Sequence, residues 1–440
     1  MHPKEISALV RFCAALCTLG LLATAGRAQN GPAAPLPDLA ALKTALTLTD
    51  AQAAQIAPVL DAQAKAAADF AAAQGQASTA LTAANAKIAA VLNDAQKPLF
   101  TALTAAGARG GRGGGRGNAV PMTDAERAEI AKLSALPPWT PGAGDGDYRI
   151  GPDYPAAPEQ TPRADVPKGR VVTFSLPLEE SKFYPGTGMR GAKAARDITV
   201  YIPAQYVPGT IAPFIVTADA YGAARNQLAT ILDNMIADKR VPAAVAVMIA
   251  NGGGDGGGSE RGLEYDTVSG KYAEFVEAEI LPRVEKDYGV RLTKDPDGRL
   301  TLGGSSGGAV AFTMAWFHPE LYHRVVAWSC TLVNQQSPMN PESPHGAWEY
   351  HENIVPKSPV KPLRIWLQVG QNDNQSTSSA AGFHNWVLAN ARMAAVLKEK
   401  GYHYQLLYGL NAGHTPGNVI ANTYPQALEW AWQGYKPVTR

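Results

Sequence analysis

The stretch LTLGGSSGGA, residues 300–309, sets two adjacent serines among four glycines, and its reading decides the fold. The pattern G-x-S-x-G fits it twice, as Gly303, Ser305 and Gly307 or as Gly304, Ser306 and Gly308. RLTL runs into it and AVAFTMAWF runs out of it, a strand pattern followed by a helical one. A strand that turns so sharply into a helix strains the backbone of the residue at the tip and lifts its side chain clear of the sheet. Small residues two before and two after that tip avoid a clash. The stretch therefore predicts a nucleophile elbow, with either serine at its tip. A phosphate-binding loop would share the glycines, but no Gly-Lys-Ser/Thr follows here or after GGGDGGG at 252–258.

Outward from the elbow, short runs rich in β-branched and aromatic residues alternate with helical patterns. The strand candidates are RVVTFSLP (170–177), DITVYIPA (197–204), PFIVTADA (213–220), AAVAVMIA (243–250), RLTLGG (299–304), RVVAWSC (324–330), RIWLQVG (364–370) and HYQLLYG (403–409). Between them lie helical patterns such as those at 224–239, 271–288 and 390–401. Strands alternating with helices require parallel pairing through right-handed crossovers, and hence a sheet covered by helices on both faces. The expected class is α/β, over residues 121–440.

A serine hydroxyl is a poor nucleophile at neutral pH and needs a histidine as base, oriented by a carboxylate. In such a fold both belong on loops after later strands, in the order Ser, then Asp or Glu, then His. Asp373 in QNDNQ follows RIWLQVG, and His414 in LNAGHTPG follows HYQLLYG. The other histidines fit less well: His403 lies inside a strand pattern, His318 and His323 follow the elbow helix, and His345 and His351 sit in a Pro-rich insertion. His384 precedes a helix and is a candidate for the pocket wall. Tyr221, Trp348, Tyr350 and Trp386 stand near loops, where they could receive an aryl or sugar ring or simply pack. No Cys/His or Asp spacing suggests a metal, DPDG at 295–298 reads as a turn, and no cofactor is expected.

The 440 residues include Lys4 and Arg11 ahead of the apolar run FCAALCTLGLLATA and the small-x-small end GRA before Gln29. That is the form of a secretory signal over residues 1–28, so the mature chain is expected to be periplasmic or secreted, with no integral membrane segment. Removal of Cys13 and Cys17 would leave Cys330 alone, in an apolar run that suits a buried thiol. Residues 29–106 are Ala-rich with helical periodicity and predict an α-helical hairpin, in which LTDAQ (48–52) and LNDAQ (92–96) supply N-caps. These pentads resemble the LTxxQ signature of small periplasmic helical proteins. GARGGRGGGRGN at 107–118 reads as part of a flexible linker over 107–120. A formal net charge of +1 gives no electrostatic case for a nucleic-acid partner, and the oligomeric state is not legible.

From about residue 145 onward the chain resembles the esterase family of α/β-hydrolases that includes enterochelin-esterase-like enzymes, feruloyl esterase domains and mycolyltransferases. The matching stretches are VPKGRV, RDITVYIPAQY, RGLEYD, LGGSSGGAVAFTMAWFHPELYHRVVAWS, VGQNDN and AGH. The family's elbow reads G-x-S-x-G-G, which aligns Gly303, Ser305, Gly307 and Gly308 and makes Ser305 the nucleophile. Ser306 then offers its backbone N–H to the oxyanion, and the second donor is expected after PFIVTADA, at Ala220 or Tyr221. Family members usually carry Asp-Gly there, whereas this chain has Asp219-Ala220. The resemblance implies a serine carboxylic-ester hydrolase acting on a small-molecule or saccharide ester. Acyl transfer to a sugar on the same scaffold, and a noncatalytic binding protein with a hydrolase fold, are the alternatives.

Overall fold

The computed structural model describes residues 120–219, 222–336 and 338–436. The expected signal (1–28), helical hairpin (29–106) and nearly all of the linker (107–120) lie outside them. The chain enters through α1 (Asp124–Ser134), closed by a capping box in which Thr123 and Glu126 satisfy each other's backbone N–H groups. Glu126 also accepts from the Ser379 hydroxyl and the Ala380 N–H, and Glu129 pairs with Arg392, so α1 is tied to 379–392. Then come β1 (Gly146–Ile150), β2 (Arg170–Pro177), β3 (Ala195–Ile202), the short β4 (Ile211–Ala212), β5 (Phe214–Ala218), α2 (Gly222–Ala237) and β6 (Val245–Ile249). The helices α3 (Glu260–Tyr265), α4 (Lys271–Phe275) and α5 (Leu281–Tyr288) lead to β7 (Arg291–Leu292), β8 (Arg299–Gly304) and α6 (Ser306–Phe317). After β9 (Arg324–Trp328), α7 (Val355–Lys357), β10 (Arg364–Gly370), α8 (Trp386–Glu399) and β11 (His403–Gly409), the fold ends in α9 (Gly417–Ala431).

Nine strands form one sheet in the order β1-β11-β10-β9-β8-β5-β6-β3-β2. From β1 to β6 every neighbouring pair is parallel. The pairs β6–β3 and β3–β2 are antiparallel, so the expectation of parallel pairing throughout is corrected at that edge. The reason is local: residues 178–194 between β2 and β3 carry one 3₁₀ turn, Leu178–Glu180, and no crossover helix, so the chain can return beside itself. Strand β1 had no sequence signal. All five of its residues are half-buried, so GDYRI shows neither the alternation of a one-sided strand nor the apolar run of a central one.

Central strands are apolar on both faces because helices cover both. Along β5 and β6, Phe214, Val216, Val245, Val247 and Ile249 enter one core, while Ile215, Ala246 and Met248 enter the other. The helical pattern at 271–288 carries a π-helical stretch, Val276–Ile280, just before Pro282, and Tyr350–Ile354 is likewise π-helical just before Pro356. Proline brings no N–H to the ladder and crowds the preceding turn, which the wider π turn relieves. Strands β5 and β8 are neighbours, yet β5 runs on to β6 on one side and β8 to β9 on the other. A crevice therefore opens at their carboxyl ends, where open α/β sheets bind ligands.

Candidate active site

The elbow stands at that crevice. Ser305 sits between β8 and α6 with φ 58° and ψ −129°, a left-handed backbone held by bonds from its N–H to Trp328 O (2.8 Å) and from Gly308 and Ala309 N–H to its own carbonyl. A Cβ on Gly303 would lie 2.2 Å from the Gly307 carbonyl oxygen. On Gly307 it would meet the Ala218 methyl at 3.3 Å, and on Gly308 the Ala327 methyl at 3.2 Å. The steric demand is thus hardest in the register that puts Ser305 at the tip.

His414, on the loop after β11, lies with Nε2 2.8 Å from Ser305 Oγ and Nδ1 2.6 Å from Asp373 Oδ1. Asp373, after β10, has a fully buried side chain whose oxygens also accept from the Asn374 and Gly370 N–H groups. An ionised carboxylate only accepts hydrogen bonds, so Nδ1 of His414 donates and Nε2 keeps the lone pair that faces the serine hydroxyl. Ser305 and His414 are thus aligned for proton transfer. Gly370, which sequence reasoning passed over, lets the two loops meet: a Cβ there would lie 2.4 Å from the carbonyl oxygens of both Ala412 and Gly413. Its signal was the glycine of VGQNDN.

Ser306 is the first residue of α6, where a backbone N–H has no partner inside the helix. Its buried hydroxyl accepts from Gln335 Nε2 at 3.1 Å. Ala220 and Tyr221, the expected second oxyanion donors, lie outside the described residues, which reach Asp219 at φ 56°. Trp348 and Tyr350 prove to be fully buried packing residues, and Trp386 is buried with its ring edge-to-face against His414 at 5.7 Å. His384 packs on Trp386 and meets the Asn334 carbonyl through Nδ1. His318, His323, His345 and His403 pair with Glu320, Asp297, Glu349 and Asp145. Cys330 is buried, and burial pushes its thiol pKa up. DPDG is a 3₁₀ turn in which Asp295 accepts from the Asp297 N–H. Among the described residues, no group of three or more His, Cys, Asp or Glu is placed to hold a metal, and no helix is long and apolar enough to cross a membrane.

The structure is similar to enterochelin esterase from Shigella flexneri, with 18% identity over 64% of this chain and 62% of that one and a TM-score of 0.44. The chain thus spans under two thirds of that enzyme's length. A ferulic acid esterase from Anaeromyces mucronatus, solved with ferulic acid, matches with 11% identity over 63% of this chain and 96% of that one, at a TM-score of 0.45. No curated protein matches the sequence. The family described as "Putative esterase" matches residues 191–416, more than half of the chain and all of the strands from β3 to β11. This chain belongs to that esterase family, and its fold is an α/β sheet with a core on each face.

Proposed function

We propose that the chain is an exported serine esterase that works through an acyl-enzyme, with Ser305 as nucleophile, His414 as general base and acid, and Asp373 as the group that orients His414. The observation that supports this reading is the hydrogen-bonded line from Asp373 Oδ1 through both nitrogens of His414 to Ser305 Oγ. His414 Nε2 takes the hydroxyl proton as Ser305 Oγ bonds to the ester carbonyl carbon. The carbonyl oxygen becomes an oxyanion, held by the Ser306 N–H and by a second N–H from Ala220 or Tyr221. The C–O bond to the alcohol then breaks, and the leaving oxygen takes the proton from His414. Water, deprotonated by His414, attacks the acyl-enzyme, and Ser305 leaves with the proton restored.

The substrate in this reading is a small-molecule or saccharide ester, with aryl and carbohydrate esters first among those to try. Export would remove residues 1–28, and 29–106 and 107–120 would form a separate helical region and a linker. The test is turnover of a panel of nitrophenyl, acetyl-sugar and feruloyl-sugar esters. Ser305→Ala is expected to abolish hydrolysis of any ester that is turned over. Asp373→Asn is expected to lower the rate by up to about 10⁴-fold, because an amide also tolerates the wrong histidine tautomer. Wild-type turnover in either variant contradicts the assignment.

A further inference from the structure

The RGLEYD stretch, 261–266, has no part in the chemistry above, yet three of its side chains reach the two chain segments that flank the reacting carbonyl. On one side is Asp219, just after β5. Its carboxylate receives Arg261 Nε at 3.1 and 3.0 Å and Nη2 at 2.5 Å, and Asn251 Nδ2 at 2.6 Å. Its N–H donates to the Tyr265 hydroxyl at 3.3 Å. On the other side is Ser306, at the start of α6. Gln335 Nε2 donates both to Ser306 Oγ and to Asp266 Oδ2, each at 3.1 Å. Arg261 also interacts electrostatically with both carboxylates.

We propose that α3 together with Asp266 is a jig for the oxyanion hole: Arg261 and Tyr265 fix the end of β5, Asp266 with Gln335 fixes Ser306, and the three act as positioning residues. This rests on the acyl-enzyme reading above. Two features set the arrangement apart from an ordinary structural ion pair. Asp219 holds a left-handed backbone, which an aspartate tolerates better than most residues when its side chain is hydrogen-bonded, and here Arg261 and Asn251 hold that side chain. Its carboxylate also leans on the elbow itself, 3.4 Å from where a Gly307 Cβ would stand, so the end of β5 and the first turn of α6 are set against each other. Asp266 is wholly buried, and burial pushes its pKa up to about 6, opposed by Arg261 and by hydrogen bonds from Ser306 and Gln335. A planar, five-donor guanidinium suits this task where an ammonium would serve it only in part.

The experiment compares the full-length protein with Arg261→Met, Arg261→Lys, Asp266→Asn and Tyr265→Phe on a nitrophenyl ester and on its thionoester, whose sulfur is a poor acceptor for oxyanion donors. Active enzyme is counted in each case by stoichiometric reaction with a nitrophenyl phosphonate. Losing one well-placed donor costs about 10²–10³-fold in kcat, so Arg261→Met is expected to lower kcat per active site by about 10-fold or more with KM nearly unchanged. Its oxygen-to-sulfur rate ratio should fall, with partial recovery in Arg261→Lys. A variant that is merely less well folded loses active sites but keeps the wild-type ratio. A wild-type kcat and ratio in Arg261→Met overturns the proposal, and should that variant not fold, the same result in both Asp266→Asn and Tyr265→Phe overturns it. If Ser305→Ala still reacts with the phosphonate, the acyl-enzyme reading fails instead.

Discussion

His351 and Asp266 are buried ionisable side chains whose effects on stability oppose each other across the acid range. Neither ring nitrogen of His351 has a hydrogen-bond partner; its ring stands edge-on to Trp348 at 4.6 Å, and burial, followed by the charge of Arg392, pushes its pKa down to about 3. Its unfolded value is near 6.5, so its contribution is complete above about pH 6.5 and is lost as the pH falls toward 3. Over pH 6.5 to 5 the loss is at most about 2 kcal/mol. Asp266 has the opposite sign: its raised pKa favours the fold below the unfolded value, and that advantage is lost as the pH rises through about 6. The wild-type profile mixes both, so the informative quantity is the difference from His351→Phe, which keeps a ring and leaves no donor unpaired. Thermal unfolding at pH 7 and pH 5 should show a smaller acid loss in that variant, and an equal loss would contradict the assignment. None of this was readable in the sequence, where His351 was one more histidine in a Pro-rich insertion. By contrast the meeting of Ser305, Asp373 and His414 was legible, because each follows a strand pattern in the chain order that such a fold gives to a nucleophile, its carboxylate and its base.

At the scale of elements, glycines decide where chains can touch, and they were only partly readable. The elbow announced itself through its spacing, but spacing alone left two registers open. Contact distances separate them: a Cβ on Gly303 would lie 2.2 Å from the Gly307 carbonyl oxygen, whereas on Gly308 it would lie 3.2 Å from the Ala327 methyl and the Gly303 carbonyl oxygen, a crowding that a small shift relieves. Gly303→Ala is therefore expected to destabilise the fold by about 3 kcal/mol or more, and Gly308→Ala by much less. Melting temperatures check this, and equal losses would contradict the register. The edge strand β1 and the antiparallel turn at β3 escaped the sequence for a common reason. Both depend on what lies beside a strand rather than on its own pattern.

For the whole molecule, the sheet order places the Ser305 turn and the end of β5 on either side of the point where the connections diverge, and the loops after β10 and β11 bring Asp373 and His414 to the same end. Alternation of helical and strand patterns predicted the sheet and its two covered faces, but not its order, which is set by long-range packing. The amino-terminal part of the described chain belongs to this body: Val120 accepts from Ser379, and α1 holds the segment between Asp373 and α8. Deleting residues 29–118 is accordingly expected to leave the rate on a soluble ester within about twofold, as the proposed division of the chain into a separate amino-terminal region, a linker and this body requires. Deleting 29–135 should lower the melting temperature and the rate together. An insoluble or inactive first deletion would contradict the proposed division of the chain.

The central claim, that Ser305 forms a covalent acyl intermediate, is tested most directly by reacting the protein with diethyl nitrophenyl phosphate and locating the adduct by peptide fragmentation. Release of about one equivalent of nitrophenolate, with the phosphoryl group on Ser305 and no labelling of Ser305→Ala, is the result expected of an activated serine. A phosphoryl group on Ser306 instead, or equal labelling of Ser305→Ala, would contradict the account.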